Sequence, residues 1–463
     1  MKRILTGTLV ITLLASIAAR VVHADGESET DPAVLQKLDE FQDWKFGFMM
    51  HWGIYSQWGC IESWPLVEVE EKWARTDDVA AWVERDKDFQ RFSRDYVALN
   101  ETFNPRNFHP KAWAAAAKEA GMRYVVFTTK HHDGFCLFDT KQTDYRTTHA
   151  SCPFHVQSGA NVVKEVFQAF RAEGFGIGAY YSKSDWHHPG YWAPEWPHPT
   201  RNVNYDITEH PEKWKTFVDF TYNIIQELMT DYGPIDILWL DGGQVRPPKQ
   251  DIQMDRIVAM AREHQPGLIV VDRTVGGRYE NYRTPEQRVP EKPLPYVWET
   301  CMTMGDQWSY KPNDNYKSTH QLIHLLVDVV AKGGNFLLNV GPDADGTLPK
   351  SALVRMRQIG RWMRVNGDAI YGTRPVAPYK QDNVCLTQKE ETVYAIVLSE
   401  DEDDLPPKTV CLSMPIQPKS IRMLGADASI AWESTDGELR WTIPGSVRKS
   451  PPCKHAWVFA ITQ

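Results

Sequence analysis

A single acidic residue ends an apolar run near the middle of the chain. The stretch IDILWLDGG, residues 235–243, stops at Asp241 and then turns through two glycines. Because alternate residues of a strand share a face, Trp239 and Asp241 are expected to point the same way, into a partly apolar pocket. A turn or a helix N-cap would use an aspartate equally well, so this position alone leaves a structural and a catalytic role open.

A carboxylate that attacks a sugar carbon works with a second carboxyl group across the bond that breaks. The candidates that follow the next predicted strand are Glu280, Glu286, Glu291 and Glu299. Glu286 lies in a loop that Pro285 and Pro290 stiffen, and a rigid loop positions an acid well. Most acidic loop residues are only solvated, so the residue pattern favours Glu286 and leaves the choice open.

Polar side chains also follow the other predicted strands. The carboxyl ends of parallel strands in a barrel meet at one rim, where such barrels build active sites. We therefore expect these side chains to converge on one pocket. They are His51, His131, His132, Asp133, Tyr180, Tyr181, Arg273, Trp298, Glu299 and Asn339.

The stretch KHHDG, residues 130–134, also permits a metal site, since two histidines and an aspartate are suitable ligand types. Adjacent histidines on a strand are expected to point to opposite faces, and no HExxH or HxH pair occurs. The sequence therefore predicts no metal and no cofactor, and gives the histidines the task of hydrogen bonding to hydroxyl groups. A metal-dependent hydrolase remains an alternative.

The elements that would position these residues repeat one theme, in which seven apolar runs alternate with amphipathic helices. Near-continuous apolar strands are typical of parallel sheets buried on both faces. The alternation predicts an α/β fold, a (β/α)8-like TIM barrel, over residues 25–370. The alternative fold is a doubly wound open sheet. No GxGxxG motif follows the first strand, which disfavours a Rossmann unit of that kind. The predicted strands are FGFMMHWG, RYVVFTTKHHDG, GIGAYYS, IDILWLDGG, LIVVDR, YVWET and NFLLNVG.

Both ends of the chain differ from this pattern. Residues 371–463 consist of short alternating runs separated by turns, which predicts a C-terminal β-sandwich domain that braces the barrel. Residues 1–24 have a basic start, an apolar stretch and small residues before Asp25, as in a signal peptide. We therefore expect export to the periplasm or the medium, and no membrane span after cleavage.

Composition narrows the class of partner. Loss of residues 1–24 removes Lys2, Arg3 and Arg20 and no acidic residue, which takes the net charge from −9 to −12 and argues against nucleic acid. The seven cysteines are widely spaced and odd in number, so the fold need not depend on disulfides. The sequence does not indicate an oligomeric state.

Several of these motifs together resemble the α-L-fucosidases of glycoside hydrolase family 29. The motifs are FGFMMHWG, YVVFTTKHHDGF, AYYSKSDW, ILWLDGG, YVWETCMT and GGNFLLNVGPDADGTLP, and they cover about residues 43–368 in the family's order. The resemblance implies a (β/α)8-like barrel with a C-terminal β-sandwich. It also implies hydrolysis of a terminal fucose on an oligosaccharide or glycoconjugate, with retention of configuration.

The resemblance implies roles for both acids. The family's nucleophile is the aspartate of the LWLDGG-like strand end, which is Asp241 here. One subgroup carries the acid/base in a TPE loop about 45 residues later, and Glu286 in RTPEQ lies 45 residues after Asp241. That subgroup is specific for α-1,3- and α-1,4-linked fucose on branched glycans. A fucose-binding protein without catalysis on the same fold is a further alternative, which the presence of both carboxylates disfavours.

The resemblance also implies a set of substrate-binding residues. Histidines would form hydrogen bonds to the sugar hydroxyls, and an aromatic surface from Trp239 or Trp298 would contact the methyl group of the fucose. A Glu-Trp pair after the first strand is either Glu62 with Trp64, which we prefer, or Glu71 with Trp73. Residues 187–205 would form a rim loop for leaving-group sugars. The predicted binding residues are His51, Trp64, His131, His132, Tyr181, Trp186, Trp239, Arg273 and Trp298.

Overall fold

A computed structural model describes residues 29–69, 79–198, 200–435 and 437–463. The predicted signal peptide and the alternative pair Glu71 and Trp73 lie outside these ranges. No helix within the described ranges has the length and apolar character that a membrane crossing requires. All seven cysteines fall within the ranges and are free thiols.

Seven parallel strands form the sheet that positions the site, and each corresponds to a strand predicted from sequence. They lie in the order β5-β4-β3-β2-β1-β7-β6. Every residue of these strands except Asp241 is buried, as expected for a sheet covered on both faces. The strands are β1 (Phe46–Met50), β2 (Tyr124–Lys130), β3 (Gly176–Ser182), β4 (Ile237–Asp241), β5 (Ile269–Asp272), β6 (Glu299–Thr303) and β7 (Asn335–Asn339).

An irregular segment, residues 279–287, joins the two edge strands β5 and β6. On one side the Asn281 backbone N–H donates to the carbonyl of Val270 in β5. On the other side the Gln287 N–H donates to the carbonyl of Cys301 in β6. The described chain therefore closes its barrel with this segment in the place of an eighth regular strand. Pro285 lacks an N–H for a ladder bond, which helps to keep the segment irregular.

Nine helices accompany this sheet within the described ranges, and their ends follow the sequence signals. Pro110 occupies the first turn of α4, and Gly121 ends that helix with a positive φ of 89°. Ser318 and Gln321 form a capping box at the start of α8. The helices are α1 (Pro32–Trp44), α2 (Ala80–Lys87), α3 (Phe89–Val97), α4 (Pro110–Ala120), α5 (Val162–Ala172), α6 (Pro211–Asp231), α7 (Met254–His264), α8 (Thr319–Ala331) and α9 (Lys350–Asn366).

The C-terminal part is an antiparallel β domain with two sheets, in the orders β12-β15-β10-β9-β8 and β11-β14-β13. Its core is separate from the barrel core and includes Leu386, Trp441 and Phe459. The elements are β8 (Arg374–Gln381), β9 (Val384–Lys389), β10 (Thr392–Leu398), β11 (Thr409–Ser413), β12 (Ser420–Met423), β13 (Ala431–Thr435), β14 (Glu438–Thr442), α10 (Gly445–Lys449) and β15 (Ala456–Thr462).

Hydrogen bonds tie this domain to the last helices of the barrel. Trp362 Nε1 in α9 donates to the Ala456 carbonyl at 2.9 Å. His324 Nε2 in α8 lies 2.8 Å from the His455 carbonyl. Both bonds lie at the side of the barrel, and all residues that line the cavity described below precede residue 309. These contacts support the predicted bracing role.

Candidate active site

A cavity of about 340 Å³ opens at the carboxyl ends of the barrel strands. This volume lies at the lower end of the range for ligand pockets, which suits one sugar ring and its linkage. The lining residues are Met49, His51, Glu62, Trp64, His131, His132, Tyr180, Arg201, Trp239, Asp241, Gly242, Gly243, Gln244, Arg246, Arg273, Thr274, Glu286, Cys301 and Trp308.

Asp241 ends β4 with its carboxylate in this cavity. Oδ1 accepts a hydrogen bond from Arg273 Nη1 at 2.9 Å, and Oδ2 accepts one from the Tyr180 hydroxyl at 2.8 Å. Nε2 of His132 lies 3.8 Å from Oδ2. Burial alone would raise the pKa of Asp241, but the Arg273 guanidinium and the hydrogen bond from Tyr180 hold it well below its ordinary value. Asp241 is therefore ionised at neutral pH, as a carboxylate nucleophile must be.

Glu286 reaches the cavity from the irregular segment 279–287. A backbone bridge to Cys301 in β6 fixes its position along the barrel wall. Its Oε2 accepts a hydrogen bond from Arg273 Nη2 at 2.6 Å. The side chain of Glu286 is 42% exposed, against 22% for Asp241, so Glu286 is the carboxyl group more accessible to water.

Arg273 therefore holds both carboxyl groups with one guanidinium. Its Nε donates to the Thr284 hydroxyl at 3.0 Å, and its Cζ lies 4.5 Å from the centre of the Trp239 ring. These contacts fix the plane of the group, and a planar guanidinium can bind two acceptors at once. The two carboxyl groups thus lie on the same side of the cavity, bound to neighbouring nitrogens of one side chain.

The three predicted histidines all line the cavity, and each shares a hydrogen bond through Nδ1. The partners are the Asn339 side-chain oxygen for His51 at 2.8 Å, the Ser63 hydroxyl for His131 at 2.6 Å and the Ser182 hydroxyl for His132 at 2.5 Å. Burial lowers the pKa of His51 and of His132 to about 4, and that of His131 well below its ordinary value. All three are therefore neutral at pH 7.

The partners fix the tautomer of two histidines. The Asn339 side-chain oxygen can only accept, because its amide nitrogen donates to the Trp308 carbonyl at 2.6 Å, so His51 carries its proton on Nδ1. The Ser182 hydroxyl donates to the Ser184 carbonyl at 2.7 Å and so accepts from Nδ1 of His132. Both rings are left with an unprotonated Nε2, which is an acceptor for a sugar hydroxyl.

The Glu62 and Trp64 pair lies in the cavity wall, as preferred from sequence. Glu62 is buried, with a positive φ of 36°, and its Oε1 accepts from the Ser309 N–H at 2.7 Å. Burial raises the pKa of Glu62 to about 8, so it carries a proton at neutral pH. The Trp64 ring contacts His132 edge-on, with 5.2 Å between centroids.

Tyr181 was expected in the pocket, and the structure places its neighbour there. Tyr180 is the register partner of Trp239, and their rings stack 5.2 Å apart in the barrel interior. Tyr181 is buried in the cluster on the other face of β3, with the Lys130 ammonium 4.6 Å from its ring. Since strand residues alternate between faces, a choice one residue off selects the wrong face.

Trp186 and Trp298 are also absent from the cavity lining. Trp186 lies behind the wall, where its ring contacts His132 at 4.9 Å and Trp64 at 5.5 Å between centroids. The indole of Trp298 is buried, and it would contact a side chain added at Gly334. Trp186 therefore supports two wall residues, and Trp298 packs in the apolar core outside the cavity.

The histidine pair departs from the strand pattern that we expected. β2 ends at Lys130 after a register shift, so His131 and His132 lie on a turn and both face the cavity. Together with Asp241 they offer potential metal-ligand atoms within 4.8 Å of one another. Both Asp241 oxygens are bonded to Arg273 and Tyr180, however, and a guanidinium beside a ligand disfavours a cation at the same place.

Comparison with known proteins agrees with this geometry. The sequence profile of the alpha-L-fucosidase family matches residues 14–368, and that of the alpha-L-fucosidase C-terminal domain matches residues 378–462. The chain belongs to the alpha-L-fucosidase family. It is a glycoside hydrolase of family 29, with the TIM-barrel-like fold and C-terminal β domain of that family.

Individual relatives cover most of the chain. The tissue alpha-L-fucosidases of Rattus norvegicus and Homo sapiens are each 28% identical and match 91% of this chain and 89% and 88% of their own lengths. Alpha-L-fucosidase isoenzyme 1 from Paenibacillus thiaminolyticus is 32% identical, with a TM-score of 0.75 over 93% of this chain and 99% of its own. A Bacteroides thetaiotaomicron family 29 alpha-L-fucosidase, trapped as a covalent intermediate, is 26% identical with a TM-score of 0.73, over 94% and 96%.

Several lining residues of this fucosidase were not among the predicted binding residues. Tyr180 was expected at the rim but Tyr181 was chosen as the binding residue, although Tyr180 is the register partner of Trp239 and shares its face of the sheet. Glu62 was named with Trp64 and left out of the predicted site. Arg201 lies in the long loop after β3, Arg246 in the loop after β4 and Trp308 in the loop after β6. Nothing in the local sequence distinguishes these three from solvated loop residues.

Proposed function

We propose that this chain is a retaining, exo-acting α-L-fucosidase in which Asp241 is the nucleophile and Glu286 the acid/base. The observation that carries the proposal is the shared bond of both carboxyl groups to Arg273 within one cavity. A retaining enzyme needs its two carboxyl groups about 5–5.5 Å apart, and a guanidinium that binds both groups keeps them close together on one side of the cavity. The covalent intermediate trapped in the Bacteroides relative supports the same chemistry.

The reaction uses the two carboxyl groups in different roles. Ionised Asp241 attacks the anomeric carbon, the glycosidic C–O bond breaks, and Glu286 gives its proton to the departing oxygen. The product is a fucosyl ester on Asp241. Glu286, now a carboxylate, takes a proton from water as that water attacks the same carbon and releases Asp241. Glu286 is the more exposed of the two acids, so water reaches it directly.

The cavity wall supplies the recognition of the sugar. His51 and His132 accept from hydroxyl groups through Nε2, and protonated Glu62 is a donor or an acceptor. Fucose has a methyl group at the place where other hexoses have a hydroxymethyl. Met49, Trp239 and Trp308 are apolar lining residues that suit this methyl. The cavity volume of about 340 Å³ suits a single terminal sugar, which supports exo action.

The proposed linkage preference and the proposed export of the protein are both supported by sequence motifs. The TPE loop that carries Glu286 supports preference for α-1,3- and α-1,4-linked fucose on branched glycans. The signal-like residues 1–24 support export, and the amino terminus of the processed protein is then Asp25. Sequencing the amino terminus of protein recovered from the periplasm or medium tests the second assignment.

A panel of substrates tests the proposed function. Trisaccharides with α-1,2-, α-1,3- or α-1,4-linked fucose are incubated with the chain, and free fucose is measured. We expect release from the α-1,3 and α-1,4 compounds, with the α-anomer formed first in proton NMR spectra. Asp241→Asn should release no fucose while still binding it. If neither the native chain nor the variant turns over any fucoside, the alternative of a fucose-binding protein is correct.

A further inference from the structure

The mouth of the cavity carries two guanidinium groups that the catalytic steps do not use. Arg201 and Arg246 both line the cavity, one from the loop after β3 and one from the loop after β4. The chain as a whole is acidic, with a net charge of −9. Deeper in the cavity, Arg273 binds both Asp241 and Glu286, and burial raises the pKa of Glu62 to about 8, so it carries a proton. Two cationic side chains therefore lie at the mouth of the cavity in a protein whose net charge is negative.

Buried aromatic residues hold the Arg201 backbone in place. Its carbonyl accepts hydrogen bonds from Tyr191 at 2.9 Å and from Trp186 at 3.3 Å. The next carbonyl, that of Asn202, accepts from Trp192 at 3.0 Å. The Arg201 guanidinium lies 6.0 Å from the centre of the Trp64 ring. The loop is thus built to keep Arg201 above the cavity wall.

Arg246 extends into solvent from the other loop. Its side chain is exposed, and its Nη1 donates to the Thr274 carbonyl at 3.1 Å. Within the described residues the Arg246 guanidinium forms no ion pair with a carboxylate. A guanidinium recognises carboxylate and sulfate oxygens with two parallel hydrogen bonds, which an ammonium cannot do.

We propose that Arg201 and Arg246 form a leaving-group subsite for a glycan that carries an anionic substituent, either a sulfate ester or a carboxylate. The fucose occupies the depth of the cavity, so the sugar attached to it reaches the mouth where both arginines lie. This inference rests on the proposed function, because it names the substrate class of the same site.

Three fucosylated trisaccharides that differ in one substituent test the inference: neutral, sulfated or carboxylated on the leaving-group side. We expect kcat/KM to be roughly tenfold higher for at least one anionic compound than for the neutral one, and the ratio to shrink as salt is raised. Arg201→Gln and Arg246→Gln should each lower that ratio several-fold. The matched control Arg422→Gln, on an exposed position of β12, should leave the ratio unchanged.

The outcomes separate the two levels of the proposal. Equal kcat/KM values for neutral and anionic compounds, or an equal loss on both in the arginine variants, overturn the anionic subsite and leave the fucosidase intact. Failure to hydrolyse all three compounds overturns the proposed function itself. A preference for only the sulfated or only the carboxylated compound identifies the source of the charge.

A second inference, carried by separate contacts, concerns Glu299 at the start of β6. It is fully buried in the barrel interior, so the sequence candidate for a second acid does not reach the cavity. Its Oε1 accepts from Trp239 Nε1 at 3.2 Å and from the Tyr282 hydroxyl at 3.3 Å. Its Oε2 accepts from the Tyr124 hydroxyl at 2.7 Å. No basic side chain is among these partners, so the carboxyl serves as an acceptor for three donors.

We infer that Glu299 is a positioning residue that acts on Asp241 through Trp239. The Trp239 ring supports both groups that bind Asp241, since it stacks on Tyr180 and lies under the Arg273 guanidinium. A fixed indole therefore fixes the two donors to the nucleophile. Without the Glu299 acceptor the indole N–H would be unpaired in an apolar interior, which favours another orientation of the ring.

Glu299→Leu tests this role. We expect kcat to fall roughly tenfold or more and the acidic limb of the kcat/KM profile to move to higher pH, because a loosened Arg273 and Tyr180 let the pKa of Asp241 rise. Glu299→Gln keeps an acceptor and should recover most of the lost kcat. If Glu299→Leu does not fold, Trp239→Phe removes the donor of the same bond and should move the limb the same way. A lowered Tm with an unchanged acidic limb in these variants would show a structural role only.

Discussion

Nη1 of Arg273 lies 2.9 Å from Oδ1 of Asp241, and the two side chains come from the ends of adjacent strands β5 and β4. The same guanidinium uses Nη2 for Glu286. One cation therefore favours the ionised form of Asp241, the proposed nucleophile, and holds Glu286, the proposed acid/base. This relationship links the closure of the barrel by residues 279–287 to its chemistry, because that segment brings Glu286 to Arg273.

Replacement of Arg273 by lysine is expected to lower kcat by roughly 100-fold. An ammonium keeps the charge but cannot bind both carboxyl groups in one plane, so the two acids lose their mutual position. Circular dichroism and Tm measurements on Arg273→Lys serve as the control for folding. A folded variant with near-native kcat would contradict the role assigned to the guanidinium.

The neighbours Tyr180 and Tyr181 provide a matched pair of variants. Tyr180→Phe removes a donor to Asp241, so the pKa of Asp241 should rise and the acidic limb of the kcat/KM profile should shift to higher pH. Tyr181→Phe changes the opposite face of β3 and should leave the profile in place. Steady-state kinetics across pH values from 3 to 7 compare the two. A larger shift of the acidic limb in Tyr181→Phe than in Tyr180→Phe would show that Tyr181, and not Tyr180, faces the cavity.

Glu62 is expected to make folding stability depend on pH. Burial raises its pKa to about 8 in the folded state, above the ordinary 4.5 of the unfolded chain. As pH rises through this window the unfolded state releases a proton that the folded state keeps, so Glu62 costs stability at about 1.4 kcal/mol per pH unit at most. Below pH 4.5 both states hold the proton and the cost vanishes.

Glu62→Gln removes this titration and keeps an acceptor for the Ser309 N–H. The Tm of the variant minus that of the native chain should therefore increase between pH 5 and pH 8. Thermal unfolding in matched buffers at several pH values gives this difference. A difference that stays constant across the window would mean that Glu62 is ionised in the folded protein.

Removal of metal ions should leave the activity unchanged. The cluster of His131, His132 and Asp241 has ligand types suited to a cation, but Arg273 already neutralises Asp241. Dialysis against excess EDTA, followed by assays with and without added Zn²⁺ or Mn²⁺, distinguishes a metal-independent fucosidase from a metal-dependent hydrolase. Loss of fucose release on chelation, with recovery on metal addition, would favour the metal-dependent hydrolase.

The barrel could be predicted well from sequence because its strands are nearly continuous apolar runs. Each of the seven overlaps an observed strand, since such runs have few alternatives to a doubly covered parallel sheet, but the predicted sixth strand, residues 296–300, begins three residues before β6. The closing segment 279–287 was not predicted as part of the barrel wall. It has no strand periodicity, and its pairing with β5 and β6 depends on tertiary contacts.

Site residues at strand ends were more predictable than those beyond them. His51, Trp239 and Asp241 follow from strand position, and the structure brings them into one cavity. Tyr181 lies one residue from the position on β3 that faces the cavity. Trp186 and Trp298 lie outside the cavity lining, because local sequence does not show whether a buried aromatic residue faces a cavity or packs behind its wall. Arg201 and Arg246 lie on loops whose path is set by distant hydrogen bonds, which local sequence does not encode.

Covalent trapping tests the central claim most directly. The chain is incubated with 2-fluoro-fucosyl fluoride, digested, and analysed by mass spectrometry. We expect one 2-fluoro-fucosyl group per chain, on the peptide that contains Asp241, and no label on Asp241→Asn. A label mapped to Glu286 or to any residue other than Asp241, or hydrolysis with inverted configuration and no adduct, would contradict the assignment of Asp241 as nucleophile.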